Sequence, residues 1–189
     1  MALRPTYPIL TARLTLRPFA AADLDALHAI QSREDVTRFL YWGPRTREQV
    51  ADGLAARAGQ TALLAEGDAL VLAVDRRDSG ALIGSVNLIW VSAEHRQGEI
   101  GFVLHPDHQG QGFAGEAAAE MLRLGFDGLE WHRIVGRCDA RNEASARLLE
   151  RLGMRREAHF RENEWVKGKW DDEYVYALLA REWAAKVGG

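Results

Sequence analysis

The densest chemistry in the chain lies in HPDHQGQGFAGEAAAEMLRLGF, His105 to Phe126, where GQGFAG puts glycines at 110, 112 and 115. Without a Cβ, glycine lets the backbone close on an anion. The first N–H groups of a following helix then point at that anion, aided by the positive end of the helix dipole. The spacing matches the G-x-G-x-x-G of dinucleotide-binding turns, so an NAD enzyme is one reading. A second feature is Glu99, a carboxylate within the strand-like run QGEIGFVL. A carboxylate at the centre of a sheet is costly unless it is paired or functional, and partial burial raises its pKa toward that of a useful base. An ion pair with Arg96 or Arg137 is the plainer account. His105 and His108 form H-x-x-H on a Pro-containing loop with no obvious third ligand, so no metal is expected. Cys138, the one cysteine, excludes an internal disulfide and reads as a buried thiol.

Several elements must position these groups. RLTLRPF, from Arg13, alternates as a strand does, and AADLDALHAIQS carries an apolar helical stripe. FLYWGPRT is a loop, after which Thr46 opens a second helix ending near Gly59. ALVLAVDRRDSGALIGSVNLIWV reads as strand, Asp78-Ser79-Gly80 turn, strand, and Gln97–Leu104 as a further strand. A helix follows from about Gly112 to Asp127, then a strand in HRIVGRCD, then a short helix from Asn142 to Gly153. The remainder reads as two strands around Lys167-Gly168-Lys169 and a short tail. This order implies an α/β (α+β) domain, a mixed central sheet of about seven strands flanked by about four helices, rather than alternating βα units.

The bulk properties are those of one ordinary globular domain: 189 residues, 47% hydrophobic, 27% charged, net charge −3. That balance offers no bulk positive surface for nucleic acid. No apolar run approaches the roughly 20 residues that span a bilayer, and MALRPTYPIL lacks a signal-peptide core. A cytoplasmic protein without membrane attachment is expected.

The phase of the glycine match decides between phosphates. A dinucleotide turn wants a strand running straight into the first glycine and an acidic residue about 20 residues on. Asp139 nominally meets the second condition. The first fails, because His105 to Gln109 intervene, all polar or breaking. Read instead from Gln109 to Ala114, the stretch resembles the Q/R-x-x-G-x-G/A signature of the Gcn5-related N-acetyltransferases. DARNEASARLLERLGMRRE resembles that superfamily's next block. RLTLRPF and FLYWGPRT resemble its branch of ribosomal-protein and other N-terminal acetyltransferases (RimJ/RimL-type). The likeness covers about residues 9–180, leaving 1–8 and 181–189 as tails, and is most specific over 97–154.

The resemblance implies an acetyl-CoA-dependent N-acetyltransferase acting on a primary amine, a protein N-terminus or a small molecule, by direct attack in a ternary complex. A non-catalytic acyl-CoA-binding module would share the loop, as would a regulatory one. Acetyl-CoA is the implied co-substrate. Gln109, Gly110, Gln111, Gly112, Phe113, Ala114 and Gly115 would form the pyrophosphate loop, with Gly115 also packing closely in the helix's first turn. Phe102, Val103 and Leu104 would pair with the pantetheine arm, with Gly101 permitting a bulge there. Asn142 would bind pantetheine or hold the splayed strands, cap its helix, or both. Glu99 would be the base, acting through water. Ser145, the one hydroxyl on the last short helix, would assist the leaving thiolate, unless it is a surface serine bonded to backbone. Tyr41 and Trp42 match the family's acceptor position, with Asn87, Trp90 and Trp170 as weaker substrate contacts. Relatives of this kind are commonly homodimers.

Overall fold

The computed structural model describes residues 2–188. Among them, eight strands form a single mixed sheet in the order β1-β2-β3-β4-β5-β6-β8-β7. The strands are β1 (Ile9–Leu10), β2 (Leu14–Pro18), β3 (Ala69–Arg76), β4 (Leu82–Ser92), β5 (Gln97–Leu104), β6 (Arg133–Asp139), β7 (Arg155–Val166) and β8 (Lys169–Leu179). The helices are α1 (Leu24–Gln31), α2 (Glu34–Thr37), α3 (Arg47–Ala58), α4 (Phe113–Arg123), α5 (Glu143–Arg151) and α6 (Ala180–Val187). The additions to the expected set are a two-residue strand, a four-residue helix and a C-terminal helix. The first two are too short to show a period of their own.

β5 and β6 form the parallel pair, and every other pairing is antiparallel. Their ladder runs from Gln97↔Arg133 to Ile100↔Gly136 and then stops. On its other side β5 stays paired with β4 as far as Gly84↔Leu104. Residues 101–104 therefore keep a ladder partner on one side only, and the sheet opens between β5 and β6. The strand after β7 turns back to lie between it and β6, so β7 is the sheet edge.

Strand alternation sends Val86, Leu88, Ile100 and Ile134 into the main core, where α4 contributes Ala117, Ala118, Met121 and Leu122 and α5 contributes Leu148 and Leu149. The α4 residues recur at three- and four-residue intervals, as do Ala146 and Leu149 on α5, which is why each helix buries one stripe. A second, smaller core forms on the opposite face from Phe19, Leu27, Val50, Leu54 and Ala73. The face carrying Glu99, Val135 and Arg137 forms an open cleft bordered by Val91 and Phe160. α3 starts where expected: Thr46 accepts from the Gln49 N–H, and Gln49 reaches back to the Thr46 N–H.

Candidate active site

The glycine turn is built by short-range bonds. Gln109 donates its side-chain amide to the Leu104 carbonyl at 3.0 Å, folding the loop back onto the end of β5. Gln111 donates to the Asp107 carbonyl at 2.9 Å. Gly110 and Gly112 have φ of 71° and 83°, the left-handed region that L residues enter at a cost of roughly 1–2 kcal/mol. Gly112 is the N-cap of α4, so the free N–H groups of Phe113, Ala114 and Gly115 lie at the mouth of the turn. Phe113 is buried beneath the Arg13 guanidinium, 4.6 Å from its ring centroid. One packing expectation fails: a Cβ at Gly115 would meet nothing within 4 Å, so close packing is not the reason for that glycine.

The turn stands at the end of β5, beside the opening of the sheet. Phe102 and Val103 are partly buried there and Leu104 is buried. Gly101 marks no bulge. Its pairing with Asn87 is regular, and the irregularity falls between Trp90 and Ser92. A Cβ at Gly101 would lie 2.5 Å from the Asn87 Oδ1, so the glycine makes room for the Asn87 side chain. Alternation places Asn87 on the Glu99 face.

Glu99 heads a chain of charges. Its Oε2 accepts from the Arg137 Nε at 3.2 Å, and the Arg137 Nη1 donates to the Glu173 Oε2 at 2.9 Å. Glu173, only 3% exposed, also accepts from the Tyr41 hydroxyl at 2.6 Å and from Asn163 at 3.2 Å. Two carboxylates thus share one guanidinium. Burial pushes the Glu99 pKa up and the Glu173 charge adds to it. Arg137 opposes both without cancelling them, so the net direction is upward. The plain ion pair and the raised pKa coexist, and the partner is Arg137. Tyr41 is 58% exposed, yet burial of its hydroxyl end and then Glu173 raise its pKa, which keeps it a donor.

Asn142 caps α5, its Oδ1 accepting from the Ser145 N–H at 3.1 Å. The cap therefore uses the Ser145 backbone. Trp42 lies under Arg45, whose guanidinium is 4.3 Å from its ring. Trp90 is not brought to the site. It is 8% exposed in the main core against Trp131, because alternation sends it to the α4 face. Trp170 is 54% exposed near the β7–β8 turn and packs edge-on to Trp165. Asp139 is occupied by Arg141, which bonds it through both backbone and side chain. Cys138 is buried, which pushes its thiol up to about 12.

Sequence reasoning did not single out Glu173. It sits in DDEYVYALL, where alternation separates inward from outward residues but does not say which inward carboxylate meets Arg137. Its register with Asp139 across β6–β8 decides that. Tyr41, Glu164, Asp171 and Glu173 line a narrow hollow with Phe39, Leu40 and Val166, and Glu173 and Asp171 are paired there with Arg137 and Arg141.

A mixed sheet that opens between two parallel strands, with a glycine-capped helix at the mouth and a carboxylate on the adjoining strand, is the arrangement the sequence resemblance implies for an acyl-CoA-dependent transferase. The acetyltransferase (GNAT) domain family matches residues 13–155, and the chain belongs to that family. The uncharacterized N-acetyltransferase YnaD of Bacillus subtilis is 34% identical over 175 residues, which cover 93% of this chain and 98% of that protein. A spermidine N(1)-acetyltransferase of Vibrio cholerae is 24% identical over 173 residues, 91% of this chain and 96% of that one. The crystal structure of a GNAT-family acetyltransferase from Bacillus anthracis superposes with a TM-score of 0.82 at 32% identity, covering 92% of this chain and 98% of that one. The protein is an N-acetyltransferase that uses acetyl-CoA. No helix among the described residues is long and apolar enough to cross a membrane.

Proposed function

We propose that the chain, with residues 9–180 as its catalytic domain, acetylates a primary amine by direct attack within a ternary complex. The acceptor is a protein N-terminus or a small-molecule amine, and the branch is the RimJ/RimL-type one. The observation that carries this reading is the opening between β5 and β6 with Glu99 on its flank. The N–H groups of Gly110 to Gly115 hold the pyrophosphate, and the unpaired side of residues 102–104 receives the pantetheine arm. A backbone N–H of that stretch holds the thioester oxygen. Glu99 takes the proton of the acceptor through a water. The nitrogen then bonds to the carbonyl carbon, the carbon–sulfur bond breaks, the proton the nitrogen sheds on becoming an amide passes to the thiolate to give CoA thiol, and Ser145 donates a hydrogen bond to that sulfur as it departs. The carboxylates gathered near Tyr41, Glu164 and Asp172 among them, would draw a cationic amine toward this side of the cleft. The relationship to a spermidine acetyltransferase fits the same chemistry.

The test is release of free thiol from acetyl-CoA against a panel of N-terminal peptides, polyamines and amino acids. Amine-dependent release is expected. Binding of CoA without turnover across the panel would make the chain a non-catalytic acyl-CoA module. Ser145→Ala leaves the Asn142 cap intact, because that bond uses the Ser145 backbone. Losing one hydrogen bond to a developing charge should lower kcat roughly 10-fold, with CoA affinity unchanged. An unaltered kcat would remove Ser145 from the mechanism.

A further inference from the structure

The turn between β1 and β2 lies far in sequence from the glycine loop, yet it is bonded to it. Glu116, in the first turn of α4, accepts three hydrogen bonds from that turn. Thr11 Oγ1 donates to its Oε1 at 2.5 Å, the Arg13 backbone N–H to the same oxygen at 2.7 Å, and the Arg13 Nε to Oε2 at 2.7 Å. Arg13 also donates from Nη1 to the Gln111 carbonyl at 2.9 Å, and its guanidinium covers the Phe113 ring. Its Nη2 comes within 3.3 Å of where a Cβ on Gly112 would be. The turn is itself firmly held. The Leu14 N–H donates to the Thr11 hydroxyl at 3.0 Å, Leu14 is fully buried, and Arg77 donates to the Thr11 carbonyl at 2.8 Å.

Burial alone would push the Glu116 carboxyl up, but the bonds from Thr11 and Arg13 outweigh it and hold it below the ordinary range. A trans peptide points its C=O and N–H in opposite directions. Anchoring the Gln111 carbonyl to Arg13 therefore sets the direction of the Gly112 N–H. At a glycine pair that can swing through most of φ space, that constraint removes alternatives the loop would otherwise populate.

We infer that Thr11, Arg13 and Glu116 are positioning residues for the coenzyme: a latch that preorganises the Gln109–Gly115 turn for pyrophosphate from the far end of the sheet. This rests on the reading of that turn as the phosphate cradle. Its signature is a loss confined to substrates carrying the pyrophosphate. Glu116→Ala should raise the KM for acetyl-CoA and the Kd for CoA about 10-fold, with kcat within about twofold. The same variant should lose nothing against S-acetylpantetheine, which lacks the phosphates. Arg13→Lys should not rescue, since one ammonium cannot reproduce the fork that spans Glu116 and the Gln111 carbonyl. If Glu116→Ala does not fold, Arg13→Met, which keeps the Thr11–Glu116 bond, carries the test.

Equal losses with both thioesters, or no loss of CoA affinity in any variant, would overturn the latch. If the wild-type protein itself uses the two thioesters equally well, the cradle reading falls and the latch with it. Discrimination by the wild type that survives unchanged in the variants sinks the latch alone.

Discussion

Glu99→Gln should lower kcat by roughly 100-fold to 10,000-fold while leaving the Kd for CoA unchanged, the span expected for loss of a general base. The amide is close in size and still accepts a hydrogen bond from Arg137, so the ion-pair geometry is kept in form while the capacity to take a proton is lost. The pH profile supplies an independent readout. A base works deprotonated, so kcat/KM rises with pH through its pKa. The Glu99 pKa lies above the ordinary glutamate value, burial being the main cause and the Glu173 charge adding to it. The acidic limb should therefore sit above that value and vanish in Glu99→Gln. Arg137 pulls in the opposite direction, stabilising the carboxylate. Arg137→Leu should accordingly move the limb to higher pH. A drop in CoA binding that accounts for the whole loss of turnover would make Glu99 structural. A limb that stays put in both variants would assign the titration to another group.

Gly98→Ala should destabilise the fold by about 3 kcal/mol, the upper part of the usual overpacking range. For a chain of this size that lowers Tm by roughly 6–12 °C. A Cβ at Gly98 would lie 1.9 Å from the Trp131 ring, and Trp131 is 2% exposed, walled in by Trp90 and by Gly125 from the turn after α4. Neither partner can yield cheaply. Gly98 is held in register with both Trp90 on β4 and Ile134 on β6, and a ring so enclosed has no alternative rotamer space. Thermal unfolding of the single variant measures the cost. Adding Trp131→Leu should recover part of it, because the two changes share one contact and are not additive. An unchanged Tm in the single variant would mean that β5 and the Trp131 loop separate more easily than their burial implies.

Gly98 also illustrates what a sequence hides. In QGEIGFVL two glycines look alike, and both sit where a Cβ would collide. One admits a tryptophan from a loop more than thirty positions on, the other an asparagine from the neighbouring strand. Neither partner can be read from the run itself. The element order, the helix starts at Thr46, Gly112 and Asn142, and the face of β5 that carries Glu99 were all legible in advance. Each is settled by neighbours within a turn of helix or a few residues of strand, through capping bonds, left-handed glycines and alternation. The phase of GQGFAG belongs with them, because the polar spacer before it is a local fact.

Register and strand order decided the rest. β8 comes to lie between β6 and β7, and that insertion brings Glu173 to Arg137 and so couples Tyr41, 132 positions away, to the site. Alternation offered Trp90 to one of two faces, and the covering helix α4 made that face core. The bonds from Thr11 and Arg13 to Glu116 span more than a hundred residues and exist only because β2 begins beside the start of α4. By itself, then, the sequence of this acetyltransferase determined its local structure and the backbone form of the glycine turn, since those depend on near neighbours. Which charges pair, which aromatics are buried and what holds the glycine turn in place depend on contacts between distant segments, and only the tertiary structure decided them.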